Sequence, residues 1–408
     1  MQVKAKQKVF FSMYFFILFR RRIMNEEIFK KEILDFEDKY FSSYAAKNCE
    51  ARRDREISYP FRGPYSRDRD HILYSGSFRR YIGKTQVIYF AASFDEQLSN
   101  RSIHTLQVSQ IARTIGKALK LNLDLIESIA LGHDLGHAPF GHDGEEILQD
   151  ICRKKKIGLF FHNIHSLRVV DKLADACKGM NLTFQVRDGI LSHDGEINEK
   201  YLKPDRDKTE DDLIDYCQKK SQGEKAHTVP TTLEGCVVRI SDAISYIGQD
   251  FEDAIRIGIL QRGELPEGIK EELGESNTVI INSLVTDVII NSHNRDEIIY
   301  SPNIAQRVFE LKQFNAERIY KNPRLKAKKT KLRAAFKFLF EKFLNDVKRG
   351  NDDSLVFKEW IFNRGKNRGA VYVGDNLPEQ VVIDYIASMT DRYFNNAYIK
   401  YKKREGVE

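Results

Sequence analysis

Apolar side chains return at helical spacing through most of this chain, and few residues interrupt them. Ile103, Leu106, Ile111, Ile115 and Leu119 follow one such rhythm, and Leu125, Ile126, Ile129 and Ala130 begin a second after Asn122. Glycine and proline, which punctuate helices, number only 24 and 9 among 408 residues. An all-α fold follows, with a helical core and a C-terminal helical extension. Charged residues at 31% against 41% hydrophobic fit a globular protein with a sizeable core and exclude wholesale disorder. No internal repeat, P-loop or dinucleotide-binding glycine pattern is present.

The net charge of +7 is mild for this length and suits an anionic ligand better than a nucleic-acid coat. Five scattered cysteines without a CxxC pair suggest neither a zinc knuckle nor a disulfide framework, so a reducing cytoplasm is expected. Val9–Phe19 is apolar and is followed at once by Arg20, Arg21 and Arg22. Eleven residues are too few to span a bilayer, and no small-residue cleavage site precedes the arginines. No stable membrane insertion is expected, and Met24 reads as the start of the folded chain, with residues 1–23 a tail outside it.

Residues 24–64 read as a polar helix (25–48) and an arginine-rich arm, with residues 50–70 looped around Pro60, Gly63 and Pro64. A catalytic domain is expected over 65–265 and a C-terminal helical region over 266–408. Within the first, Pro139 is expected to end the helix that begins after Asn122. Residues 158–192 read as one or two helices, 195–230 as a charged surface excursion, and Leu233–Ile259 as one amphipathic helix.

Six of the ten histidines (His104, His133, His137, His142, His162 and His165) fall between residues 104 and 165. Histidine is a poor core residue, so such crowding points to chemistry. The centre is LGHDLGHAPFGHDGEE, residues 131–146. Adjacent His133 and Asp134 end a helix, His104 lies on the preceding helix, and Asp242 sits in an apolar helix where a lone buried acid is costly. Two imidazoles and two carboxylates make a mixed N/O site suited to a divalent metal ion: Mn, Mg, Fe, Co or Zn. Asp242, Tyr246 and Asp250 are four apart and share one helix face.

The ordered set His104, His133-Asp134 and Asp242 resembles the H…HD…D signature of HD-domain phosphohydrolases. More narrowly, the chain resembles the deoxynucleoside triphosphate triphosphohydrolases of the dGTPase-like branch. The supporting stretches are DRDHILYSGSFRRYIGKTQV (68–87), RSIHTLQVSQIAR (101–113), GHDLGHAPFGHDGEE (132–146), FHNIHSLRVV (161–170), NLTFQVRDGILSHDGE (181–196), SDAISYIGQDFEDAI (241–255) and IDYIASMTDRY (383–393). The resemblance implies metal ligation by His104, His133, Asp134 and Asp242, and a catalytic His142 supported by Glu145. It implies substrate contacts by Gln86 and Asp250 (3′-hydroxyl), Arg101 (phosphate) and Tyr246 (deoxyribose), with His137 an additional phosphate contact.

The implied reaction is hydrolysis of dGTP or other dNTPs to deoxynucleoside and inorganic triphosphate, His142 either protonating the departing 5′-oxygen or relaying a proton. A homo-oligomer (tetramer or hexamer) and a nucleotide or single-stranded-DNA effector are also implied. His165 stands where relatives often carry glutamine, so it either reaches the phosphates differently or has a supporting or surface role. Base preference is not readable. Two rivals stand beside this reading. One is another HD nucleotide phosphohydrolase; the guanosine-tetraphosphate type normally follows HD with Glu-Asp, whereas Leu135-Gly136-His137 follows here. The other is a regulatory nucleotide- or DNA-binding protein with a vestigial site, suggested by the basic run KNPRLKAKKTKLR (321–333), which reads equally as a solvated helix.

Overall fold

The computed structural model describes residues 27–56, 61–86, 100–194, 201–326 and 329–404. The expected N-terminal tail, with its apolar run, lies outside these residues. The fold is all-α: among the described residues, strand is confined to β1 (Tyr201–Leu202) paired antiparallel with β2 (Ile298–Ile299). Among the described residues, no helix is long and apolar enough to cross a membrane.

The longer helices, in chain order, are α1 (27–40), α2 (Pro64–Leu73), α3 (Arg101–Ala118), α4 (Leu123–Gly132), α5 (Gly141–Lys155), α6 (His162–Arg168), α7 (Phe184–Ser192), α8 (Glu210–Gln222), α9 (Leu233–Ile247) and α10 (Gln249–Arg256). They continue with α11 (Asn277–Ser292), α12 (Pro302–Asn315), α13 (Lys329–Arg349), α14 (Lys366–Gly374), α15 (Pro378–Ala387) and α16 (Asp391–Arg404). Their starts are chemically marked. Asn100 caps α3 through Ile103 N–H, Asn122 caps α4 through Asp124 and Leu125 N–H, and Thr232 caps α9 through Gly235 N–H.

α9 packs along α3, α4 packs between α2 and α3, and α7 closes on α4 and α9. Ile115, Ile126, Ile129, Val237 and Ile244 are fully buried there, each worth about 1.5–3 kcal/mol of apolar transfer. One continuous core runs from Ala45 to Tyr401, so the C-terminal helices share it. Phe336, Phe340 and Phe343 line one side of α13, and Phe140, from the loop before α5, packs against Phe336 and Phe394.

Several boundaries differ from the sequence reading. The first helix ends at residue 40 rather than 48, and the arginine-rich arm ends at Gly63, because Pro64 occupies the first turn of α2, where its missing N–H costs nothing. α4 stops at Gly132, well before Pro139, so the chain can turn and present His133. The region of residues 201–230 is anchored rather than a surface excursion: α8 buries Leu213 and Tyr216, and Lys208 reaches a buried ion pair with Asp188. Leu233–Ile259 is two helices, α9 and α10, meeting at Gly248, and α9 is buried nearly all round rather than amphipathic.

Candidate active site

Of the fifteen residues in α9, only Asp242 and Tyr246 escape burial, and both face one cavity of about 430 Å³. The cavity also meets Gln86, Arg101, His104, Asp134, His137, His142 and Asp250. His133 lies directly beneath its floor, completely buried.

The loop carrying His133 to His142 is shaped by close approaches. A side chain on Gly136 would strike the backbone of His162, His165 and Ser166, so only glycine lets the loop lie against α6. Gly141 has a φ of +58° and passes so close to the Gln86 carbonyl that a Cβ would sit 2.8 Å from it. The C-terminal helices hold the other side. Asp391 accepts from Phe140 N–H at 2.9 Å, Thr85 N–H at 3.1 Å and the Thr85 hydroxyl at 2.7 Å. Lys84 donates to the carbonyls of His137 and, at 2.7 Å, Ala387.

Two histidines are oriented by the same device. The end of an α-helix leaves carbonyls without partners. His133 Nδ1 donates to the Ala130 carbonyl at 2.7 Å, and His193 Nδ1 to that of Ile190 at 2.7 Å, each three residues back. Their Nε2 lone pairs are thereby turned inward. The Ser245 hydroxyl donates to the Asp242 carbonyl and accepts from His104 Nδ1 at 3.0 Å, which frees His104 Nε2 likewise.

Four donors converge. His104 Nε2 is 3.0 Å from Asp242 Oδ1, His133 Nε2 is 3.4 Å from Asp134 Oδ2 and 3.8 Å from Asp242 Oδ1, and His104 Nε2 is 3.9 Å from Asp134 Oδ2. His133 Nε2 is buried without a hydrogen-bond partner. A desolvated imidazole lone pair facing two carboxylates fits a divalent cation. Burial opposes the charge of both acids, yet the facing histidines, in the protonated form they take when no cation occupies their lone pairs, outweigh it: Asp242 is held down at about 2, and Asp134, with Arg101 adding to His133, well below the carboxylate range.

A second group of imidazoles lies beside the first. Glu145 accepts from His162 N–H at 3.0 Å and from its Nδ1 at 3.0 Å, while His162 Nε2 is 3.3 Å from His193 Nε2. Burial alone would neutralise His162, but Glu145 overrides it and lifts the imidazolium to about 9. His193, pushed down to about 4 by burial and its charged neighbours His133 and His162, accepts the second His162 proton. His137 stacks on His162 with centroids 4.1 Å apart and is kept neutral by burial and Arg101. His142 reaches cavity solvent from the start of α5; the surrounding protein displaces bulk water and lowers its pKa, partly offset by Glu145.

At the other end, Asp250 accepts from the Tyr320 hydroxyl, and burial lifts its carboxyl to about 7. Gln86 presents a buried amide oxygen without a partner. Arg101 is buried, with Nη1 on Asp134 and with Nε and Nη2 unpartnered.

Residues 101–247 match the HD domain model, and residues 298–400 match that of the phosphohydrolase-associated domain. A protein of Caldanaerobacter subterraneus subsp. tengcongensis, described as deoxyguanosinetriphosphate triphosphohydrolase-like, is 39% identical over 371 residues, covering 90% of this chain and 93% of its own. Proteins described in the same words from Desulfatibacillum aliphaticivorans and Clostridium tetani are 34% identical, over 92% and 87% of this chain and 97% and 91% of theirs. The chain belongs to this family. It is an HD-type hydrolase.

Nine of the eleven residues singled out in the sequence line the cavity of this family member; His133 lies beneath it, and Glu145 stands behind His162. One expected partnership is corrected. The Glu145 hydrogen bonds go to His162 rather than His142, because α6 brings that ring and its own N–H onto the carboxylate together. Arg101 is no surface arginine, and Tyr246 is not a sealed core residue. His165 neither lines the cavity nor lies on the surface: it is buried against Phe160, 3.9 Å from Asp384.

His162, His193, Asp194, Arg239, Lys312 and Tyr320 also line the cavity and were given no role in the sequence reading. A signal existed for three of them: His162 belongs to the histidine cluster, and His193-Asp194 repeats the His-Asp dipeptide at another helix end. Lys312 and Tyr320 come from α12 and the turn after it, with no motif to mark them.

Proposed function

We propose that this protein hydrolyses deoxynucleoside triphosphates, dGTP among them, to deoxynucleoside and inorganic triphosphate. The observation that carries the reading is the single cavity. Histidines and carboxylates able to hold a metal ion and a charged His162–Glu145 pair share it with the Tyr246 ring and the polar groups of Gln86 and Asp250. The names of the relatives support the same substrate class.

His104, His133, Asp134 and Asp242 would hold the cation, whose chemistry is Lewis-acid polarisation of a phosphoryl oxygen. Arg101 turns its unpartnered Nε and Nη2 to the phosphates, and Lys312 adds charge from α12. His162, fixed as an imidazolium by Glu145, is the proton reserve; neutral His142, nearer the solvent, passes a proton to the departing 5′-oxygen. Tyr246 packs against the sugar face, where a 2′-hydroxyl would find no room. Gln86 and Asp250 hold the 3′-hydroxyl, with Tyr320 orienting the Asp250 carboxyl.

The test is incubation of the protein with each dNTP and Mn or Mg, followed by identification of the phosphate product. Inorganic triphosphate with free deoxynucleoside is expected. Pyrophosphate with monophosphate, or no turnover, rejects the proposal.

A further inference from the structure

A second cavity of about 770 Å³ opens between the end of α2, the chain after α6 and the turn before α14. None of its lining residues belongs to the catalytic cavity. Two arginines form its inner wall. Arg364 is buried, with its guanidinium stacked on Trp360 at 4.0 Å and Tyr372 at 4.6 Å. Its Nη1 donates to the Leu173 carbonyl at 3.0 Å and to Cys177 Sγ at 2.9 Å. Nε and Nη2 have no partner.

Arg80, half-buried beside it, donates among the described residues to the Ser77 hydroxyl, at 3.0 Å. Burial and the charge of Arg364 pull the Arg80 guanidinium down to about 10, a direction that reports repulsion with no compensating carboxylate at hand. The acids of this cavity are committed elsewhere or stand at its rim. Asp70 pairs with Arg62 at 2.8 Å, exposed Glu359 accepts from Tyr393, and Asp175 is exposed. The backbone beside Arg364 is also held in a costly form: Asp175, Ala176 and Cys177 have φ of 47°, 53° and 68° in succession.

Leaving two guanidiniums in mutual repulsion, one with buried unpaired N–H groups, destabilises a fold unless an anion completes the arrangement. Guanidinium forks match phosphate oxygens in geometry as well as charge. We propose that this cavity is a second anion site, distinct from the catalytic one, in which Arg80 and Arg364 clasp the phosphate of a small phosphorylated molecule. The cavity is several times the size of one phosphate, which leaves space for an organic portion along Trp360.

Trp360 is the single tryptophan of the chain and reports on this cavity alone. Its fluorescence is followed while inorganic phosphate and, separately, inorganic triphosphate are titrated at constant ionic strength against chloride. A saturable change is expected with at least one of them and not with chloride. It persists in His142→Ala, which alters only the catalytic cavity, and its midpoint weakens at least tenfold in Arg80→Gln. Without phosphate, Arg80→Gln unfolds at or above the temperature of the unaltered protein, since it removes one of two repelling charges. Arg364→Lys, which keeps the charge and loses the fork, weakens the response as well. A linear response shared by chloride, an unchanged midpoint in both arginine variants, or loss of the response in His142→Ala overturns the proposal.

Discussion

The two ends of the catalytic cavity are built to different standards of rigidity. At the metal end three imidazoles are fixed by their packing and by an Nδ1 hydrogen bond, His104 to Ser245, His133 to Ala130 and His193 to Ile190, while His137 Nδ1 and two Arg101 nitrogens are buried without a partner. The donors stand 3.0–3.9 Å apart on α3, on α9 and just after α4, three helices that pack against one another in the core. At the sugar end Gln86 has an unsatisfied amide oxygen, and Asp250 rests on one side chain, Tyr320, borrowed from a distant turn. Pre-organised electrostatics cost no reorganisation during reaction, so the chemistry sits where the frame is stiffest. In the proposed reaction, selection of the sugar is left to groups that can adjust.

The strongest way to break this contrast is to remove one group at the metal end. Asp242→Ala should lose both stoichiometric metal, measured by elemental analysis, and all measurable triphosphate release. His142→Ala should lower turnover by ~10²–10⁴-fold, the range of a positioned proton-transfer group, while metal stays bound. Retained activity in Asp242→Ala, or lost metal in His142→Ala, would merge roles that the geometry keeps apart.

The next test lies at the sugar end. Tyr320→Phe removes the hydroxyl that stabilises the Asp250 carboxylate. A hydrogen bond to a charged group is worth about 1.5–3 kcal/mol, so kcat/KM for a dNTP should fall roughly ten- to hundredfold. Metal content should not change. The pH profile sharpens the assignment. The hydroxyl lowers the Asp250 pKa, so its loss should move the ionisation of the acid upward from about 7 and shift the acidic limb of activity to higher pH. An unshifted limb would show that the pair does not govern substrate handling.

The clamp from the C-terminal helices comes third. Asp391→Ala releases Thr85 and Phe140 at once, which loosens both the strand of chain carrying Gln86 and the loop carrying His142. Thermal unfolding should record a loss of about 2–4 kcal/mol, from buried donors left unpaired. Turnover at saturating substrate should drop roughly tenfold, since small displacements of reacting groups are costly. Full activity with full stability would show that the catalytic loop needs no support from that side.

The same contrast explains what could be read from sequence. The all-α fold was legible because caps and apolar periods are local, and His104, His133-Asp134 and Asp242 stood out as candidates because clustered histidines and an acid in an apolar helix are visible in sequence. The partner of Glu145 was not legible. A carboxylate three residues from His142 suggests an intrahelical pair, but the choice of His162 is made by the first residue of α6 meeting the Glu145 carboxylate, a tertiary fact. Tyr320 and Lys312 escaped for a similar reason, since a turn some seventy residues after Asp250 carries no sign of where it docks. The single helix expected over Leu233–Ile259 is divided at Gly248 because the apolar period runs on through both segments and carries no sign of the break between them.

The smallest expected effect isolates what distinguishes Asp242 from an ordinary buried acid. Glu234 lies on the same helix, two turns earlier, and is fully buried. It accepts from Ala46 N–H at 2.9 Å and Asn122 N–H at 3.0 Å, but its second oxygen has no partner. Burial dominates these bonds and lifts its carboxyl from 4.5 to about 7, whereas the histidines facing Asp242 hold that acid at about 2. A raised folded-state pKa means that the contribution of Glu234 to stability is fully present below pH 4.5 and is lost as pH climbs through about 7. Glu234→Gln mimics the protonated form and keeps one acceptor oxygen for the two N–H groups. Its unfolding temperature should match that of the unaltered protein near pH 4.5 and exceed it at pH 8, by roughly 1–2 °C for a gain of ~1–2 kcal/mol. The reverse order at pH 8 would mean that the carboxylate of Glu234 is stabilised in the fold. The chemical separation of the two acids on α9 would then rest on something other than the histidines around Asp242.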